Sequence, residues 1–258
     1  MITPNDEDTL PDFPSLDDHR LAICDSGGAT TIGLLRSENE DHFGAIGPLH
    51  VVADGMGGTA GGTLASHLTV QHVLEAQYSD GWVTTLRDVN SRVRSECDEA
   101  GFPNAGSTLV GLRVEDHRCV TMSVGDSRIY RFRDGMLKQL TCDHNLRTLR
   151  KEEGLDPEVT DERGKPRALT SYIGNRDEAQ RIDVGTISAQ EGDRLLLTSD
   201  GVHEQVNTDE MTRFLTLPTC QDVADALTSA ADVAGGRDNA TAVVIAITTV
   251  SPGGGSDV

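Results

Sequence analysis

Apolar residues along the chain follow two rhythms. Between residues 20 and 55 the short runs RLAICD, TTIGLL, DHFGAI and LHVVAD are punctuated by Gly or Asp, a pattern that predicts consecutive strands. The period then lengthens. From about Ala60 to Gln77, Leu64, Leu68, Val73 and Leu74 fall near helical spacing, as do Trp82, Leu86, Val89 and Val93 from Trp82 to Ala100. Both segments are expected as amphipathic helices.

A second strand group follows in STLVGLRV, RCVTMSVG, SRIYRF and MLKQLT, with Arg133, Asp134 and Gly135 supplying a hairpin turn between the last two. After Asp143 the chain turns polar through LRTLRKEEGLDPEVTDERGKPRALTSYIG. A short helix and a charged excursion are expected there, forming a mobile flap over about 143–180. Order returns with DRLLLTSDG as a strand, TDEMTRFL and QDVADALTSAADVA as helices, and ATAVVIAI as a final strand. Strands grouped with strands and helices with helices predict antiparallel sheets layered with helices rather than alternating βαβ units.

Length and charge narrow the picture. The 258 residues show no internal repeat and no linker, so we read one domain over 21–248, with an acidic flexible segment at 1–20 and a flexible tail at 249–258. Basic residues number 22 and acidic residues 42, a formal charge of −20, which repels phosphate backbones and anionic membranes. The five cysteines are scattered with no CxxC pair, and read as reduced and structural rather than as a zinc site or disulfide frame. No signal-peptide pattern opens the chain and no apolar run approaches about 20 residues, so cytoplasmic residence is expected without membrane insertion.

The chemistry lies in the carboxylates. ENED (Glu38 to Asp41), ADGMGG (Ala53 to Gly58), SDG (Ser199 to Gly201) and GGRDN (Gly235 to Asn239) each join an Asp to a turn residue, and VGDSR (Val124 to Arg128) is a fifth such segment. Singly, each reads as a turn or a solvated face, and Arg36 as a surface ion-pair partner. Their joint occurrence at the ends of apolar strands is not explained that way. Because strand ends hold side chains in fixed directions, one sheet edge is expected to present Asp54, Asp126, Asp200 and Asp238 toward a common point.

Converging carboxylates repel, by ~4 kcal/mol for two unit charges about 4 Å apart at an effective dielectric near 20. A cation must offset this. All-oxygen ligands suit Mg²⁺ or Mn²⁺, whereas zinc recruits His or Cys, and no His lies beside three of these aspartates. Two such ions can lower the pKa of a bridging water and stabilise in-line displacement at phosphorus, which points to phosphate-ester hydrolysis. Arg36, just upstream of ENED, is available to clamp phosphoryl oxygens bidentately.

In order and wording these segments resemble the metal-dependent type 2C serine/threonine protein phosphatases, especially bacterial members. The likeness runs from about Asp25 to Ile247 through GLLRSENEDHF, VVADGMGG, GSTLVGL, VGDSRIYRFRDG, LLLTSDGV and GGRDNATAVVI. It implies an α+β fold, a four-layer αββα sandwich of two antiparallel sheets flanked by helices. It also implies roles by position: Asp54 bridges two metals, the Gly55 carbonyl binds one, and Asp200 and Asp238 bind the other. Asp126 with Asp200 is placed for a weaker third ion, Glu40 for a contact partly through water, and Asp41 and Asn239 behind the ligands. Arg36 would hold the substrate phosphate. Where many eukaryotic relatives carry a His, this chain has Met56, as bacterial members commonly do.

The function so implied is hydrolysis of phosphoserine and phosphothreonine in proteins by metal-bridging hydroxide, opposing a serine/threonine kinase, with the enzyme a monomer. A catalytically silent binding module of the same fold would be marked by a lost carboxylate, yet Asp54, Asp200 and Asp238 are all present. A two-metal nuclease conflicts with the charge of −20.

Overall fold

The computed structural model describes residues 20–76, 81–160, 162 and 164–250. The N-terminal segment and most of the tail, both expected as flexible, lie outside the described residues, as does Gln77. In chain order the first elements are β1 (Arg20–Thr31), β2 (Asp41–Ile46), β3 (Leu49–Met56), α1 (Thr59–Glu75) and α2 (Trp82–Glu99). Next come β4 (Gly106–Ser107), β5 (Leu109–Glu115), β6 (Arg118–Val124), β7 (Arg128–Arg133), β8 (Met136–Gln139) and α3 (Leu146–Glu152). The chain closes with β9 (Asp183–Ile187), β10 (Arg194–Thr198), α4 (Asp200–His203), α5 (Thr208–Phe214), α6 (Cys220–Val233) and β11 (Ala240–Val250).

One sheet has the order β1-β11-β10-β7-β8 and the other β2-β3-β5-β6-β9, with β4 paired to β3. Every pairing is antiparallel. The inner faces meet in a core that includes Val52, Val110, Leu112, Ile129, Leu195, Leu197, Val243 and Ile245. Helices α1 and α2 cover the outside of the six-stranded sheet, where Leu86, Val89 and Val93 pack with Val51, Leu109 and Met122. On the outer face of the five-stranded sheet, α6 lays Val223, Ala224, Leu227 and Ala231 against Leu196, Ala242 and Val244. This is the expected αββα sandwich, because each sheet is apolar on both faces and needs a cover on each.

The hairpin turn stands where expected. Arg133 pairs with Met136, and Asp134 and Gly135 take φ of 51° and 76°, the left-handed geometry of a two-residue turn that matches strand twist. Three expectations need correction. RLAICD and TTIGLL are not two strands: β1 runs unbroken along β11 with one bulge between Ile23 and Asp25, and Ile32 to Leu35 form a turn. The glycines inside it serve close approach, since a Cβ on Gly27 would strike the backbone of Gln221 in α6.

Helix α1 is less amphipathic than its spacing suggests. Wedged between β2, β3 and α2, it leaves only a narrow stripe of Ala60, His67, Gln71 and Glu75 exposed among its described side chains. Finally, β9 was not expected. Its five residues pair at the edge of the sheet with Cys119 to Ser123 of β6, and so short a segment after a polar excursion carries little periodic signal.

Candidate metal centre

Strand register decides where the carboxylates go. In the five-stranded sheet Thr31 faces Ala240, Thr198 faces Ala242, and Thr198 also faces Arg128. Asp238, two residues before β11, Asp200, two after β10, and Asp126, two before β7, therefore leave that sheet at one end. In the six-stranded sheet Asp41 faces Asp54, and Leu109 faces Val124, itself two residues before Asp126. Thus the expectation of a single sheet edge is corrected: both sheets contribute. The connections from β1 to β2 and from β6 to β7 cross between the sheets at this end, which is why the residues meet.

They meet on a cavity of about 200 Å³ lined by Arg36, Glu40, Asp54, Gly55, Asp126, Asp200, Asp238 and Asn239. Of the expected site residues only Asp41 does not line it; it is buried, and its Oδ2 accepts from Ser199 Oγ at 2.7 Å. Met56, Thr108, Arg167 and Leu169 complete the wall. Neither His42 nor His144 lines it: His42 Nδ1 lies 3.0 Å from Ser66 Oγ, and His144 Nε2 lies 3.1 Å from Asp183 Oδ2.

Local contacts hold each group in place. Asp54 N–H donates to Thr108 Oγ1 at 3.0 Å, and its carbonyl accepts from Thr108 N–H at 2.8 Å and Ser107 Oγ at 3.0 Å. The next residue must be glycine because α1 passes against it: a Cβ on Gly55 would collide with the Gly62 carbonyl. Arg36 Nη2 donates to Asp238 Oδ2 at 2.6 Å, and Arg36 Nη1 lies 4.0 Å from Glu40 Oε1. Asn239 acts on the loop before β2 as much as on Asp238. Its amide donates to the Ile32 and Glu38 carbonyls at 2.9 Å each and accepts from Glu40 N–H at 2.9 Å, while its backbone N–H donates to Asp238 Oδ1 at 2.8 Å.

The electrostatics are those of crowded, buried acids. Burial, then the charges of Asp41, Asp200, Asp126 and Asp238, pushes Asp54 well above the ordinary carboxylate range. Asp200 is raised in the same way, by burial and then by Asp126 and Asp238. Asp126 is pushed up to about 6, by burial first and Asp143 second. Asp41 also rises to about 6 through burial, opposed by the hydrogen bond from Ser199. Burial works against the charge of Arg36, yet Asp238, then Glu40 and Asp54, more than offset it, and its pKa is raised.

This donor set fits hard divalent cations. Its members are carboxylates and a backbone carbonyl, it contains no thiol or imidazole, and its mutual repulsion is what positive charge would relieve. Asp41 Oδ1, buried at one side, has no hydrogen-bond partner. Among the described residues no three His, Cys, Asp or Glu side chains stand close enough together to hold a metal ion as they are placed.

Sequence reasoning missed Ser199 and Arg167. Ser199 sits within SDG and was legible as part of that motif. Arg167, an ion-pair partner of Glu204, comes from the segment between α3 and β9, where no local pattern marks it.

Comparison with known proteins agrees with this geometry. The family model described as protein phosphatase 2C matches residues 37–235. Protein phosphatase PhpP of Streptococcus pneumoniae is 30% identical over 84% of this chain and 95% of its own length. Serine/threonine protein phosphatase PstP of Mycobacterium tuberculosis is 32% identical over 82% of this chain and 43% of that protein. Among solved structures, the catalytic domain of PstP in complex with two manganese ions superposes with a TM-score of 0.75 at 28% identity, covering 89% of this chain and 99% of that one. With the fold, the acidic cavity and these relatives in agreement, the chain belongs to the protein phosphatase 2C family as a bacterial-type serine/threonine protein phosphatase.

Proposed function

We propose that Asp54, the Gly55 carbonyl, Asp200 and Asp238 hold two divalent cations, Mn²⁺ or Mg²⁺, and that Arg36 binds the phosphoryl group of a phosphoserine or phosphothreonine. Asp126 with Asp200 offers a weaker third position, and Glu40 acts through water. When bound, such ions supply Lewis acidity that polarises phosphoryl oxygens and readies water for in-line attack on phosphorus. The single observation that carries this reading is the convergence on one cavity of Arg36, Asp54, Asp126, Asp200 and Asp238, which are remote from one another in sequence.

The chain's own residues divide the remaining work. Arg36 spends Nη2 on Asp238 and keeps other guanidinium donors for the phosphate. Its raised pKa keeps it charged at any working pH. Asn239 ties the Arg36 loop to Asp238, so clamp and ligand keep one spacing. Met56, on the cavity wall, has no proton to give to the leaving serine or threonine oxygen. Asp41 and Ser199 position Asp54 from behind.

The substrates are phosphoproteins made by an opposing serine/threonine kinase. We infer a monomer with one catalytic domain over 21–248, its flap at about 143–180, residing in the cytoplasm; no helix among the described residues is long and apolar enough to cross a membrane. The deciding experiment measures phosphate release from a phosphothreonine peptide and from p-nitrophenyl phosphate with and without Mn²⁺. Metal-dependent turnover is expected, and inertness in excess Mn²⁺ and Mg²⁺ overturns the reading.

A further inference from the structure

We propose that Leu34 and Leu35 form a docking ledge for an apolar side chain flanking the phosphorylated residue of a protein substrate. The inference rests on Arg36 binding the phosphate, and it adds a substrate class to that site. Both leucines stand out in the water, 68% and 73% exposed, and Ile32 beside them is 40% exposed. Isolated apolar side chains on a surface need no explanation, whereas three in one loop that runs directly into Arg36, a residue of the cavity wall, mark an interaction site.

The ledge is built, not loose. Leu34 and Leu35 N–H both donate to the Gly236 carbonyl, at 2.7 and 3.2 Å, and Gly33 N–H donates to Thr31 Oγ1 at 3.1 Å. Gly33 has φ of +76°, and a Cβ there would collide with the Asp238 carbonyl. Leu34 lies against Gly236, where an added Cβ would sit 2.6 Å from Leu34 Cγ. The loop that carries the leucines is thus fastened to the turn that carries Asp238, and the ledge keeps a fixed place relative to the cavity.

Reach and charge name the occupant. Leu35 and Leu34 precede Arg36 by one and two residues, so their Cα atoms lie within about 3.8 and 7.6 Å of its own. An extended peptide advances about 3.3 Å per residue. With its phosphate at Arg36, residues two or three positions from the phosphorylated one overlie the leucines. The net charge of −20 disfavours a strongly acidic peptide. The fitting class is a phosphosite with an apolar residue two or three positions away in neutral or basic surroundings.

The test compares phosphothreonine peptides that differ only by Leu or Ser at those flanking positions. It reads kcat/KM with Mn²⁺ in excess, for the full chain, for the Leu34→Ser/Leu35→Ser double variant and for Leu35→Ser alone. The full chain should prefer the leucine peptides by about tenfold, and the ratio should fall toward one in the double variant, with the single variant between. A ratio near one in the full chain, or one unchanged in the double variant, overturns the ledge. A dimer in solution that the double variant dissolves would assign the leucines to a second copy, and would overturn it too. Failure of the phosphatase reading looks different: neither peptide nor p-nitrophenyl phosphate turns over, and the ledge falls with it.

Discussion

Ser199 Oγ donates to Asp41 Oδ2 at 2.7 Å, joining the junction of β10 and α4 in one sheet to β2 in the other. Thr241 N–H donates to the same Ser199 oxygen at 2.9 Å, so β11 is part of the link. Asp41 in turn faces Asp54 across the β2–β3 pair. The two sheets are therefore locked by a buried polar contact beside the carboxylates proposed as ligands, and its hydrogen bonds help the cavity keep its shape.

Because the acids of the cavity repel one another, divalent cations should stabilise the fold. Melting temperature should fall with chelator and rise with added Mn²⁺ along the logarithm of its free concentration, reaching about 2.7 kcal/mol at a hundredfold excess over Kd. Thermal unfolding followed across a Mn²⁺ titration reads this directly. A melting curve indifferent to chelator would contradict a cation site.

Asp54→Asn and Asp238→Asn each remove a charge from the proposed ligand set without changing its size. Since changes behind metal ligands already cost about 10- to 100-fold, each variant should lose at least about 100-fold in kcat/KM while remaining folded. Phosphate release and circular dichroism on the same samples separate lost chemistry from lost structure.

Arg36→Ala removes a charge-assisted contact worth about 1.5 to 3 kcal/mol, so kcat/KM should drop on the order of 10- to 100-fold, mainly through KM. Steady-state kinetics on a phosphopeptide give both constants. An unchanged KM would remove Arg36 from the phosphate.

Asp41 sets a pH signature. Its folded pKa of about 6 lies above the ordinary value of 3.8, so between those values the native state holds more protons than the unfolded one and stability falls as pH rises. Asp41→Asn cannot ionise and escapes that loss. With chelator present, the variant's melting temperature should match the parent's near pH 4 and exceed it increasingly up to about pH 6, staying above it at higher pH. A difference independent of pH would show that Asp41 is not held protonated by burial.

Gly55→Ala should destabilise the protein by about 1 to 3 kcal/mol, the usual cost of overpacking, because the new methyl meets the Gly62 carbonyl of α1. Denaturant unfolding measures it. A neutral effect would mean that α1 can shift away from β3.

Much of this was legible in the chain itself. Trp82, Leu86, Val89 and Val93 announced the buried stripe of α2, Asp134 and Gly135 a tight hairpin, and the acidic segments the cavity's donors, because such signals are local and survive without knowledge of neighbours. The contents of the apolar runs were less informative about their limits. The Ser26, Gly27, Gly28 stretch reads as a break, yet β1 passes through it, since β11 on one side and Gln221 of α6 on the other supply its partners. Residue types and their order determined the fold class and the oxygen-rich chemistry. Tertiary structure decided that the acids come from two sheets, that Arg36 rests on Asp238, and that Ser199 and Arg167 belong to the neighbourhood. Those facts depend on strand register and on contacts between residues as far apart as 202 positions, and such distances are closed only by packing.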